Sequence, residues 1–523
     1  MRLELDTDVL VVGGGMAAAW AAISAAQRGA KVVLADKGFV GASGVTATGG
    51  PNHWWVRPDP AEREAAIEAR WRASFELAER AWMARVIETT WLLLPRLAGY
   101  YPFDTDGSGQ TYYSGVRGPE YLRALRRLAV DSGVRILDHH PALELLQHSD
   151  GTIAGAAGYA RLARRAWVVR AGAVILATGG CAFRSGLLGS QTNTGDGHLM
   201  AAETGAELSG MEFSVSYSLS PAWNSTRTMP YMAARFFDRG GTELDIPPPM
   251  SGPQHLRALA LALAEGPVLA DLADAPPLLK SLTRRIQPAS PTPFDRKGLD
   301  MFKDRFEVAL YGEGTIRGTG GLRIADAKCQ TTTPGLFAAG DVATRELVAG
   351  ATSGGGAQNS AWALTSGWIA GEGAAEVAWR RTARTRTSAE PKGRVALRPA
   401  GAPREVDLRE VIRLSREQIL DPMKALWRSR DALEASQSVL DALWIELATH
   451  LHATGLDQVA ARETAALVMT ARWCNSAALA REESRGMHMR ADAPSVDPAL
   501  ARRLRIGGFD RIWTHFEPER VAV

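Results

Sequence analysis

Hydrophobic and polar positions along this chain change period several times, and each change marks an element. Val9-Leu10-Val11-Val12 is apolar throughout and stops at Gly13-Gly14-Gly15, after which a small-residue segment begins at Met16. A short apolar run closed by glycine predicts a buried strand, and the alanine-rich segment behind it a helix. A second apolar run, Lys31 to Ala35, ends on Asp36. Ala61 to about Leu94 predicts a long helical stretch with a charged outer face. Glu120 to Val130 reads as an amphipathic helix and Val134 to Leu137 as a strand. Ala142 to Leu146, Ile153 to Tyr159 and Trp167 to Arg170 predict antiparallel strands. Ala173 to Gly180 predicts a buried parallel strand that halts at a glycine pair.

From Met232 to Tyr311 this rhythm is lost in a segment containing Pro247-Pro248-Pro249 and Pro276-Pro277, which reads as an inserted lobe. The strand pattern resumes at Gly335-Leu336-Phe337-Ala338-Ala339-Gly340-Asp341. Gly354-Gly355-Gly356 then leads through Asn359-Ser360 into an Ala-rich helix reaching Ala370. Leu408 to Leu451 and Asp457 to Arg485 carry helical periodicity. The expected architecture is α/β: a nucleotide-binding domain in two parts, 1–231 and 319–380, around a capping lobe at 232–318. A linker at 381–405 and a C-terminal helical domain at 406–523 complete it.

Composition narrows the class without naming a chemistry. At 523 residues and 46% apolar content the chain can bury two or three cores, and a formal charge of +3 gives no argument for nucleic acid. The clusters Arg161-Arg164-Arg165 and Arg380-Arg381-Arg384-Arg386 read as solvated surface or linker. Cys181, Cys329 and Cys474 lie far apart, with no C-x-x-C pair, so free thiols in a reducing compartment are expected and no metal site. The first strand begins by about residue 8, leaving no room for a leader peptide, and no run of about 18 apolar residues exists. A cytoplasmic location is expected, with no transmembrane segment.

Candidate chemistry starts at the first turn, where strand, glycines, helix and acidic strand end form the pattern of a dinucleotide-binding unit. Gly13 serves the tight turn and Gly15 lets backbone N–H groups approach a pyrophosphate. Met16 and Ala17 open a helix whose N-terminus carries partial positive charge, and Ala18 keeps that helix close to the sheet. Asp36 is placed to accept hydrogen bonds from a ribose hydroxyl pair, with Lys37 beside it. In the small-residue loop Gly41 to Gly50, Ser43, Gly44, Thr48, Gly49 and Gly50 suit backbone packed on a flat ligand. Ala177-Thr178-Gly179, Asp196, Gly340-Asp341 and Asn359-Ser360 complete the expected cofactor contacts. A diffusible NAD would not need the late Gly-Asp element, so the set points to bound FAD.

Taken together, these residues resemble the flavoprotein superfamily of succinate dehydrogenase, fumarate reductase and L-aspartate oxidase over nearly the whole chain. Thr194-Gly195-Asp196-Gly197, followed by Met211-Glu212-Phe213, is similar to that family's stretch before the substrate lobe. Gly320-Gly321 is similar to its return to the FAD domain, and Glu483-Ser484-Arg485-Gly486-Met487-His488-Met489-Arg490-Ala491-Asp492-Ala493-Pro494 to its C-terminal signature. The resemblance implies a Rossmann-like FAD domain with a capping lobe, and hydride transfer between a small substrate and flavin N5.

Departures from the family shape the functional expectation. A His in the Ser/Gly-rich loop carries FAD covalently in the membrane-complex members; Ser43-Gly44-Val45-Thr46 has none, so noncovalent FAD is expected. The family's dicarboxylate pocket uses two His, an Arg that grips a carboxylate and an Arg that shuttles a proton. Tyr217 stands where the first His would be, Ile316-Arg317 replaces His-Tyr, and Thr352-Ser353 replaces Asn-Arg. Arg239-Gly240-Gly241 resembles the shuttle motif, with Arg235 as the fallback. Arg317 offers a substitute carboxylate anchor. His53-Trp54-Trp55 either lines the substrate space or packs in the core.

The expected activity is FAD-dependent oxidoreduction of a small, carboxylate-bearing substrate other than succinate. The alternatives are an amino acid oxidase like L-aspartate oxidase, and an electron-transfer or structural subunit without its own substrate. Any electron-acceptor protein is expected as a separate chain.

Overall fold

The structure is a computed structural model, and it describes residues 2–106, 108–214, 216–226, 229–381 and 389–518. Its centre is an eight-stranded sheet. Leu3–Val12 lies parallel to Val32–Ala35 on one side and to Arg165–Leu176 on the other, with Val9 to Val12 in register with Val32 to Ala35 and with Ala173 to Leu176. Arg135–Leu137 extends the parallel set and Leu336–Ala338 pairs alongside Val174 to Leu176. Helices cover both faces of this region, which is why its strands are apolar throughout rather than alternating.

Two helices aim their N-termini at the carboxyl ends of these strands. Met16–Gln27 follows the first strand and packs along Ala357–Arg381. The contact is made of small residues at helical spacing. A Cβ on Gly367 would lie 2.4 Å from the Ala17 carbonyl oxygen, and one on Gly371 2.4 Å from that of Ala21. The close approach brings both helix starts to one cleft.

Several expected elements are reshaped by tertiary packing. The stretch from Ala61 to Leu94 is two helices, Pro60–Ala73 and Arg80–Leu93, parted at Phe75 and Glu76, whose φ angles of 55° and 67° cannot continue a helix. Trp167–Arg170 and Ala173–Gly180 fall on one continuous strand, Arg165–Leu176. Leu408 to Leu451 divides into Leu408–Ile419, Pro422–Ala425 and Arg430–His450, with Pro422 opening the short middle turn.

Three boundaries also move. The lobe is a four-stranded antiparallel sheet in the order Tyr217–Pro221, Phe306–Gly312, Val268–Asp271 and Arg235–Phe237, so it takes in a strand on the N-terminal side of residue 232. It has its own core around Phe236, Leu259, Phe294, Phe306 and Val308. Within the expected linker, Glu390–Pro391 pairs with Leu146 and Gln147 at the sheet edge; Arg384 and Arg386 lie outside the described residues. The C-terminal domain is not wholly helical. Leu504–Gly507 and Trp513–Phe516 form a hairpin on Leu208–Ser209, where cross-strand pairing outranks the helical context of the preceding chain.

Candidate functional site

The cleft at the sheet's carboxyl edge is lined by nearly all of the expected cofactor residues. Gly13, Gly15, Met16, Ala17, Asp36, Lys37, Ser43, Gly44, Gly49 and Gly50 converge from the first unit. Ala177, Thr178, Gly179 and Asp196 close a second side, and Gly340, Asp341, Asn359 and Ser360 a third. Ala18 and Thr48 do not line it: Ala18 is wholly buried behind the helix, and the Thr48 hydroxyl bonds the Val45 carbonyl oxygen at 3.2 Å.

The glycine turn divides its labour by position. Gly13 has φ +125° and a Cβ there would lie 2.2 Å from the Ala177 carbonyl oxygen, so this glycine holds the fold. Gly15 has an ordinary φ of −81°, and a Cβ there meets no heavy atom within 4 Å. Its missing side chain leaves empty space at the start of a helix that has no side-chain cap and no acidic residue in its first turn. Free N–H groups facing an unfilled cradle suit an anion.

Asp36 is almost wholly buried; one carboxylate oxygen accepts the Ser43 hydroxyl and the Gly38 N–H, the latter at 3.0 Å. Burial raises its pKa against the pull of those two bonds. Lys37 is engaged differently from expectation. Its ammonium donates to Asp196 at 2.6 Å, Glu463 at 2.9 Å and Thr194 Oγ1 at 3.0 Å. Burial works against its charge, but the two carboxylates outweigh it and hold the pKa above the usual lysine value. Lys37 thus ties the cleft wall to the Asp457–Ala480 helix.

The polar lining fits FAD. Thr178 Oγ1, Asn193 Oδ1 and Asn359 Oδ1 are buried without a partner on the cleft wall, as hydrogen-bonding groups awaiting a ligand would be. Asn193, Thr192, Asn52 and Pro141 line the cleft and escaped the sequence reading; only the small polar character of the Thr192–Thr194 run could have signalled them. No His, Cys or Tyr is found among Ser43 to Gly50, so FAD is expected to leave the polypeptide intact on acid precipitation. Flavin absorbance pelleting with the denatured chain would contradict this.

The catalytic candidates scatter. Arg317 alone lines the cleft. Tyr217 is buried in the lobe's first strand, where its hydroxyl donates to the Leu420 carbonyl at 3.1 Å, so its place in the order of the chain does not bring it to the cleft. Arg235 lies exposed on the outermost lobe strand, paired with Asp274 at 3.2 Å and Glu243 at 3.5 Å. Arg239 lies exposed in the turn that follows, where the Gly241 N–H bonds the Asp238 carbonyl. Neither arginine is among the residues that line the cleft. The Arg-Gly-Gly string forms a turn next to an edge strand of the lobe sheet.

Trp54 and Trp55 belong to the core. Trp55 stacks on Trp91 with centroids 4.2 Å apart and packs against Tyr113 at 4.9 Å. His53 is buried between Ser114 and Tyr121, and burial lowers its pKa to about 4, the Ser114 carbonyl pulling the other way. Its folded-state pKa lies below its unfolded one, so its contribution to stability is present above pH 6.5 and is lost as pH falls toward 4. Wild type should therefore lose stability relative to His53→Gln by about 1.4 kcal/mol per pH unit across that window. Chemical unfolding of both proteins at several pH values checks this; a pH-independent difference would show that the fold leaves the His53 pKa unshifted.

The C-terminal signature is a buried clasp. Arg481 pairs with Glu212 at 2.7 Å and Glu483 at 2.8 Å, Arg485 with Glu483 at 2.8 Å, and Arg428 donates to the Glu212 carbonyl at 2.8 Å. His488 Nε2 bonds the Arg481 carbonyl at 2.9 Å. These bonds join the end of the chain to Met211-Glu212-Phe213 and contribute no cleft-lining residue. Breaking one partner of such a pair strands a buried charge.

The chain's likenesses agree with this site. The family model for FAD dependent oxidoreductases matches residues 8–204, and that for the fumarate reductase flavoprotein C-terminus matches 423–505. An L-aspartate oxidase of Streptomyces coelicolor is 29% identical over 74% of this chain and 69% of its own length. A CoM/CoB fumarate reductase subunit of Methanothermobacter marburgensis is 26% identical over 96% of this chain and 98% of its own length. The fold matches the FrdA chain of E. coli quinol fumarate reductase with a TM-score of 0.81 at 20% identity, covering 100% of this chain and 98% of that one.

Proposed function

Because the chain belongs to the FAD-dependent flavoprotein superfamily of succinate dehydrogenase, fumarate reductase and L-aspartate oxidase, we propose that it exchanges a hydride between FAD and a small carboxylate-bearing substrate other than succinate, fumarate or L-aspartate. The observation that carries the reading is a cleft lined by most of the expected cofactor residues and, of the four catalytic candidates, by Arg317 alone. It is an FAD-dependent oxidoreductase.

Bound FAD supplies a flavin ring that accepts or gives a hydride. This chain's residues bind and orient. The Met16–Gln27 helix start and Gly15 offer the pyrophosphate cradle, and Asp36 offers a carboxylate oxygen for ribose hydroxyls. The start of Ala357–Arg381 adds backbone N–H groups suited to stabilising negative charge at a ring edge, and the unpartnered Asn359 amide oxygen adds an acceptor for a ligand N–H or O–H. Asp341 faces the cleft, its charge offset by the buried Arg345.

Anaerobic bleaching of the flavin against monocarboxylates, dicarboxylates, amino acids and aromatic acids tests the proposal. Bleaching, or reoxidation after photoreduction, by a carboxylic acid supports it. Photoreduction without a response to any acid favours a role in electron transfer alone. The proposal includes a separate electron-acceptor protein, supported by a relative that is itself one subunit of a reductase. Among the described residues no helix is long and apolar enough to cross a membrane. The cytoplasm is the proposed location, supported by three buried free cysteines.

A further inference from the structure

We propose that Arg317 is the substrate-recognition residue of the cleft and that it selects a molecule bearing one carboxylate. This rests on the reading of the cleft as a flavin site and adds the class of substrate it takes.

Five charged side chains line the cleft among the described residues: Asp36, Lys37, Asp196, Arg317 and Asp341. Only two are cations. The Lys37 ammonium is occupied by Asp196, Glu463 and Thr194. Arg317 is left as the cation able to meet a substrate, and it sits beside Gly355, where a Cβ would lie 2.9 Å from Arg317 Cδ.

Arg317 is mounted rigidly. The buried Arg345 donates to the carbonyls of Thr315 at 2.6 Å, Ile316 at 3.0 Å and Gly318, which fixes the backbone on both sides. The Arg317 carbonyl accepts the Gly354 N–H at 2.8 Å and the Ser353 hydroxyl at 3.2 Å. At the other end, Nε pairs with Glu313 at 2.9 Å, and Glu313 also accepts the Ser218 hydroxyl. With Nε committed, the two Nη groups form the recognition edge, and a guanidinium edge matches one carboxylate through paired N–H bonds.

Burial separates this pair from the structural ones. In the C-terminal clasp both Arg481 and Glu483 side chains are 0% exposed. Here Glu313 is 0% exposed while Arg317 is 32% exposed. A pair serving only to neutralise a buried carboxylate has no need to leave its guanidinium open on a ligand cleft. Charge limits the substrate in turn. Lys37 is held by Asp196 and Glu463 and Arg345 by Asp341, so with Arg317 on one carboxylate a second would find no uncommitted cation among the described cleft-lining residues.

The test is an anaerobic titration of the purified flavoprotein with crotonate and benzoate as monocarboxylates and with succinate and fumarate as dicarboxylates, read from the flavin absorption spectrum. At least one monocarboxylate is expected to perturb the spectrum saturably and to bind more tightly than either dicarboxylate. Arg317→Gln should raise its Kd about tenfold or more. Because that variant strands Glu313, Arg317→Lys is the second: it keeps the charge but loses the fork, so flavin content and Tm should hold while monocarboxylate affinity falls. No response to either monocarboxylate, tighter binding of a dicarboxylate, or equal affinity in wild type and Arg317→Lys overturns the assignment. Wild-type protein purified without flavin overturns the site reading itself, and the recognition role with it.

Discussion

Gly15→Val should give a folded protein that purifies without FAD. A Cβ at Gly15 meets nothing within 4 Å and the backbone there is in a region open to any residue, so the fold has no reason to reject the side chain. The space it fills is the approach to the helix N-terminus. With roughly 1.5–3 kcal/mol for each hydrogen bond to a charged group, displacing two pyrophosphate contacts raises Kd by about two to four orders of magnitude. Gly13→Val is the contrasting control. At φ +125° and 2.2 Å from the Ala177 carbonyl oxygen its Cβ has no room, so that variant should lose the fold along with the flavin. Asp36→Ala should weaken binding by only about 1–3 kcal/mol. Flavin stoichiometry, circular dichroism and thermal unfolding on the three proteins separate these outcomes. Full flavin in Gly15→Val would show that the turn does not hold the pyrophosphate.

Succinate, fumarate and L-aspartate should be turned over several orders of magnitude more slowly than by an enzyme built for them. Each departure from the family's dicarboxylate pocket has a visible physical cause. Tyr217 spends its hydroxyl on Leu420, and Ile316 is a wholly buried apolar residue. The Thr352 and Ser353 hydroxyls bond the carbonyls of Ala349 and Arg317. Arg239 lies exposed on a turn beyond the outermost lobe strand. The three missing binding anchors alone, leaving the shuttle arginine aside, at roughly 1.5–3 kcal/mol each amount to about three to six orders of magnitude in transition-state stabilisation. Steady-state kinetics with an artificial electron acceptor or donor decide the matter. Rates typical of a working enzyme on any of the three would show that the cleft supplies anchors the lobe residues do not.

Local sequence alone determined the cofactor half of this protein. Val9 to Asp36 encodes strand, turn, helix and acidic strand end within one stretch, and contacts that close in sequence leave few arrangements open. The Gly340-Asp341 and Asn359-Ser360 elements were legible for the same reason, since a strand end and a helix start carry their own punctuation. The substrate half was not legible, because its residues come from distant segments whose meeting depends on packing. Where Arg239 lies is set by the turn that follows the edge strand Arg235–Phe237 of the lobe sheet, which no spacing reveals. His53-Trp54-Trp55 follows a ligand loop in sequence yet turns into the core, where Trp55 packs on Trp91 and Tyr113. The Glu483–Pro494 string reads as a signature, but only the fold shows that it is part of a clasp, in which Glu483 pairs with Arg481 and Arg481 in turn with Glu212 from far earlier in the chain. Arg317 stands between the two cases. Its residue type suggested an anchor, and its place was decided by the tertiary structure, which fixes its backbone through Arg345 and leaves its guanidinium open on the cleft.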